Sequence, residues 1–190
     1  MPIIMHLGRN INEYETGSEK IINEAIKAGG IRCEYCTEPM RLHSCYWRNI
    51  KETGQSLKIS MAGCRACSNW HALLPDFILP NKHYSGNEVE SVIIDSATLT
   101  ADKIDTEASE GTARRWITQV GGRVRRAVNI LKYIFMRAGA AAGEIRADPG
   151  PIYAELERAL DMAPREARYS GNKLGLANIW LGVHGRGSYI

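Results

Sequence analysis

Two Cys-x-x-Cys pairs stand 27 residues apart, an alternating apolar run lies between them, and a helical period sets in near Tyr84. Together these predict an α+β fold, a small β zinc ribbon followed by an α-helical bundle with a helix-turn-helix. Four parts are expected. Residues 1–30 form an N-terminal arm and short helix, and 31–80 the ribbon. Residues 81–138 form the helix-turn-helix region, and 139–190 a C-terminal helical segment.

The pairs are Cys33-Glu-Tyr-Cys36 and Cys64-Arg-Ala-Cys67. Each can close a tight turn on one metal, so the four thiolates suit a single tetrahedral Zn²⁺. Four protein ligands leave no position for water, and the metal is therefore expected to be structural. Two disulfides would need an oxidising compartment, yet the N-terminus has no signal-peptide pattern and Cys45 would be left over. A redox Cys-x-x-Cys normally stands alone, whereas here a second pair answers the first. His43 and Cys45 lie mid-strand, and Cys45 is read as a small buried apolar residue. His71 is read as a packed, hydrogen-bonded histidine rather than a ligand.

The connecting residues read as a hairpin. A strand over 40–50 leads into the turn Lys51-Glu-Thr-Gly-Gln55, where Gly54 can take positive φ. Leu57, Ile59 and Met61 alternate on the return strand. The charges of Arg41, His43, Arg48 and Lys51 are read mainly as a solvated face. After Cys67, the apolar run from Asn69 to Pro80, punctuated by Pro75 and Pro80, cannot be a helix interior and predicts a third strand, then an extended linker packed on the ribbon. Upstream, Ile3-Ile4-Met5 with Leu7 predicts a short strand or a buried arm, and residues 8–17 a polar connection. Ser18 is expected to cap a short helix ending at Lys27, with Ile21, Ile22, Ala25 and Ile26 inward and Gly29-Gly30 as its stop.

From Ser85 a helix is expected to about Ala97, with Val89, Val92 and Ile93 inward. Thr100 should cap a short second helix over 101–108, and Ser109 a third. Ile117, Val120, Val124, Val128, Leu131 and Phe135 recur at spacings of three and four, a core stripe. Trp116 is read as a core anchor, and Gly121-Gly122 as an interruption. Further helices are expected over 151–162 and 174–181, with a small-residue linker over 138–143 and a glycine-rich tail.

At 190 residues with 44% hydrophobic content, the chain can build a core. No apolar run reaches the roughly 18 residues of a bilayer span, so a cytoplasmic protein is expected. The net charge is only +3, but residues 111–143 carry seven cations and no acid. Such a one-sign block points to an anionic partner. Thr112, Arg114 and Arg115 lie where a recognition helix meets DNA, with the arginines suited to guanine edges. Arg123, Arg125 and Arg126 are expected to meet phosphates. The plainer alternative is a solvated helix face that is basic by chance, and Glu110 opposes phosphate.

The run from Cys64 through His71-Ala-Leu-Leu-Pro75-Asp-Phe77 to Tyr84-Ser85 resembles an uncharacterised bacterial family of small zinc-ribbon plus helix-turn-helix proteins. It is also similar to the N-terminal region of insertion-sequence transposases. The resemblance covers about residues 31–116 and is specific at the cysteines and the Leu-Leu-Pro-Asp-Phe run. It implies a DNA-binding or mobile-element association. Thr37 stands where such ribbons commonly carry glycine.

No enzyme is expected. The residues after Trp116 are too few for the three-carboxylate sheet of a strand transferase, and the His-x-Glu of zinc deaminases is missing. A nuclease built on His71, Asn81 and His83 would need a ββα site in a proline-bounded run. The expected function is therefore that of a zinc-stabilised protein binding double-stranded DNA, regulatory or accessory to a mobile element, with a homodimer through the C-terminal helices. The rival is a non-catalytic adaptor, a protein partner within a larger nucleoprotein complex.

Overall fold

The computed structural model describes residues 2–137, 151–163 and 172–184. Within them the chain forms two compact units, Met1–Ser85 and Gly86–Ile190.

The first unit is built on a four-stranded mixed sheet ordered β1-β4-β3-β2. Strand β2 (Arg41–Asn49) and β3 (Ser56–Gly63) form the expected hairpin, and β4 (Trp70–Pro75) adds antiparallel to β3. Gly54 takes φ +66° in the turn, as its placement there required. Strand β1 (Ile3–Met5) closes the other edge in parallel with β4, Ile4 opposite Leu74. Leu57, Ile59, Leu73, Leu74 and the linker residues Phe77, Ile78 and Leu79 are buried. The linker thus packs as its apolar content implied.

Helix α1 (Ile11–Lys27) is longer than expected. Asn10, not Ser18, is the cap: its side chain accepts from Glu13 N at 3.0 Å, and Glu13 Oε2 accepts from Arg9 N at 2.9 Å. This reciprocal pattern satisfies two backbone donors and starts the helix where a polar connection was expected. Ser18 is buried mid-helix on a stripe with Tyr14 and Ile22, while Ile21 is exposed. Tyr14 anchors the stripe, donating its hydroxyl to Lys58 O at 2.8 Å and meeting Phe77 edge-on. Burial pushes its phenol up to about 12.

Among its described residues the second unit holds α2 (Gly86–Asp95), α3 (Glu110–Arg137), α4 (Ile152–Asp161) and α5 (Lys173–His184). Val89, Val92 and Ile93 are buried as predicted. The expected short helix over 101–108 is a run of turns instead. Glu88 organises it, accepting from Thr106 Oγ1 at 2.5 Å and Glu107 N at 2.9 Å, so local side-chain bonds replace a helical ladder. A helix-turn-helix is consequently not shown, since α2 and α3 are joined by residues 96–109 without a helix between them.

Helix α3 runs for 28 residues through Gly121-Gly122 without a break. Two glycines cost about 1 kcal/mol each in a helix interior. Burial of Trp116, Val120, Val124, Val128, Leu131 and Phe135 on both sides of them outweighs that cost. Ile117, predicted in this stripe, is only half-buried. Phe135 meets Trp180 of α5 edge-on at 4.9 Å. Glu90 of α2 fastens the C-terminal helices, accepting from the Tyr153 hydroxyl and from Leu174 N at 3.2 Å. The predicted linker over 138–143 and the tail beyond 184 lie outside the described residues.

Candidate metal centre and nucleic-acid interface

Both knuckles fold alike. Cys33 N donates to Glu38 O and Cys64 N to Asn69 O, each at 2.9 Å and each across five residues. The residue after each second cysteine turns left-handed, Thr37 at φ 63° and Ser68 at φ 56°. The turn therefore keeps its shape without the glycine common at that position, at the expense of a β-branched residue in an unfavourable region.

The four sulfurs converge. Cys33–Cys67 and Cys36–Cys64 are 3.4 Å apart, Cys36–Cys67 is 3.5 Å, and all four lie within 4.8 Å of one another. Disulfide sulfurs would be about 2.05 Å apart, whereas tetrahedral Zn²⁺ with bonds of about 2.3 Å implies edges of about 3.8 Å. The donor set therefore fits a tetrahedral thiophilic cation and is consistent with one structural zinc.

Polar neighbours hold the ligands. Asn69 Nδ2 donates to Cys67 Sγ at 3.1 Å and, with its backbone, draws that thiol down to about 6. The Glu38 backbone pulls Cys36 the same way, but the crowding sulfurs, Cys64 first, override it and leave the thiol at about 12. Four sulfurs this close cannot all ionise without a cation among them. His71 is fully buried with Nε2 3.6 Å from Cys33 Sγ, so it supports a ligand and is packed as expected. Asn69 escaped sequence reasoning; its position two residues past Cys67 is the signal that could have found it.

Cys45 is exposed, contrary to expectation. It lies on β2, the edge strand, opposite Ser60 of β3, and the residues of β2 are almost all exposed. Arg48 is half-buried and structural: its Nη2 donates to Leu79 O at 2.8 Å and to Lys82 O. His71 is not brought together with Asn81 and His83. It pairs with Ala62 at the knuckle end of the sheet, while those two flank the hairpin end of β2.

On α3, Arg114, Arg115, Arg123, Arg125 and Arg126 are all exposed and Thr112 is half-buried. At about 100° per residue, Arg114, Arg125 and Lys132 fall on one line along the helix, with Arg115 and Arg126 on the next. Trp116 faces the core, as expected. Glu110 pairs with Arg114 at 2.5 Å.

These features define the class: an α+β protein with a four-cysteine cluster and a basic helix. Residues 33–116 match the model of a family described as Domain of unknown function (DUF6431). No curated protein matches the chain, and no solved structure does. No named relative links it to transposases. No described helix is long and apolar enough to cross a membrane.

Proposed function

We propose that the protein binds double-stranded DNA through α3, with the ribbon held by a structural zinc on Cys33, Cys36, Cys64 and Cys67. The observation that carries this reading is the exposed arginine set of α3, displayed on one rigid helix about 42 Å long. Rigid spacing lets several cations meet successive phosphates without losing much side-chain freedom. Arg115 and Arg114 serve base edges near the N-terminus, and Arg123, Arg125 and Arg126 serve phosphates. The role assigned is regulatory or accessory; its mobile-element association comes from the sequence resemblance alone.

Anisotropy with labelled duplex over a salt series tests this. Arg123→Ala with Arg125→Ala and Arg126→Ala should flatten the slope of log K against log salt by about 2.7, at 0.9 per phosphate. Arg114→Ala with Arg115→Ala should remove preference among duplexes. Unchanged binding in both variants would overturn the reading. The second reading, an adaptor for a larger complex, is favoured by Tyr133 and Met136, which are 61% and 50% exposed on α3. It predicts weak, unspecific DNA retention.

A further inference from the structure

A groove of about 500 Å³ lies on the first unit, lined by Tyr46, Trp47, Arg48 and Asn49 of β2 and by Asn81, Lys82 and His83. Its chemistry is one-sided. Two aromatic residues, two permanent cations, a histidine and two carboxamides line it, and no carboxylate does. Glu52, the acid of the adjoining turn, is engaged elsewhere, accepting from Ser85 N at 2.6 Å.

The walls are fastened rather than loose. Arg48 clamps β2 to the carbonyls of Leu79 and Lys82, and Lys51 N donates to His83 O at 2.8 Å. Asn81 sits at φ 58°, a left-handed turn at the groove's lip. Trp47 is 67% exposed, an unusual exposure for an indole that could have been buried. Asn49 gives its carbonyl oxygen to Ser56 Oγ at 2.6 Å, which leaves its amide donors for an acceptor.

We propose that this groove binds an unpaired stretch of nucleic acid, with a base stacked on Trp47 and the backbone drawn by Lys82, on the wall that Arg48 fixes through its carbonyl bonds. An exposed ring beside fixed cations is what single-strand sites combine, since every base offers a π-face and every phosphate a charge. The carboxamides add donors for base edges. An acidic or β-pairing peptide fits less well, because strand pairing uses backbone groups and makes no demand for an exposed indole. The site is distinct from α3 and stands independently of the duplex reading.

The test uses the full chain carrying Arg123→Ala, Arg125→Ala and Arg126→Ala, and a labelled ten-nucleotide oligothymidylate at low salt. Trp47→Ala should weaken binding on the order of tenfold, while Trp47→Phe keeps it within about threefold. Lys82→Ala should flatten the salt slope by about 0.7. The proposal is overturned if the parent does not bind, or if Trp47→Ala and Lys82→Ala both bind as the parent does. It is equally overturned if an extended peptide displaces the oligonucleotide and Trp47→Ala leaves the peptide's affinity unaltered. Should duplex binding fail while Trp47-dependent oligonucleotide binding holds, the α3 reading falls and this one stands.

Discussion

Asn69 turns its side-chain amide onto Cys67 Sγ at 3.1 Å, so one residue of the second knuckle stabilises charge on another. Neutral hydrogen-bond donors to a thiolate tune both its orientation and its hold on a cation. Asn69→Ala should lower zinc affinity by about tenfold in a chelator competition while leaving one zinc per chain by elemental analysis. Protein purified natively with no zinc would sink the metal assignment.

Helix α3 carries Gly121 and Gly122 where an added Cβ meets nothing within 4 Å. Replacing both by alanine should stabilise the helical unit by about 0.5–1 kcal/mol each, measured by urea unfolding. Loss of stability would show that the added methyls meet a conflict within the folded unit, against the open space around both glycines.

Gly86 and Asn172 form a tight pair in the second unit. A Cβ on Gly86 would come within 2.7 Å of Asn172 Oδ1, the atom that accepts from Gly175 N at 2.6 Å. Gly86→Ala should cost about 1–3 kcal/mol by crowding, and Asn172→Ala about 1 kcal/mol by removing the helix cap. The double variant should cost less than their sum, because Asn172→Ala removes the carboxamide that the Gly86→Ala methyl would crowd. Strict additivity in the unfolding cycle would argue against this contact.

Burial holds the Glu90 carboxyl above its ordinary 4.5, although the Tyr153 hydroxyl and the Leu174 amide draw it back. The folded state therefore keeps this proton more tightly than the unfolded chain. Its stabilising contribution is full below the unfolded value and is lost as pH rises through the raised one. Thermal unfolding should show the helical unit losing stability as pH climbs from about 4.5, with Glu90→Gln flattening that dependence.

The Glu110–Arg114 pair bears on binding rather than stability, since both side chains are more than half exposed. Glu110→Gln should release Arg114 and tighten duplex binding severalfold at low salt. Weaker binding would mean that Glu110 positions Arg114 for a base.

The ribbon was largely legible because cysteine spacing, strand alternation and Gly54 agree with one another and with the buried set Leu57, Ile59 and Leu73. The long α1 was hidden by Gly17-Ser18, which imitates a helix start, although Asn10 and Glu13 carried the true cap. Residues 101–108 were misread because Thr100 suggests a cap, whereas the decisive partner, Glu88, is distant in sequence. Cys45 was placed in the core by residue type, but burial follows position, and the edge of a sheet leaves even apolar side chains uncovered. Periodicity located the stripe of α3. It could not say that tertiary packing would carry the helix across two glycines.

The pairing of Ile4 with Leu74 has a kinetic side. The two strands are separated by 70 positions, so as the chain leaves the ribosome β1 has no strand to join until β4 has emerged. Closing so long a loop is entropically slow. Gathering Cys33 and Cys67 on one ion would shorten the open part of that loop to the segments on either side. The supply of metal during synthesis would then set how soon the first strand finds its place, and how long its apolar edge stays open to other chains.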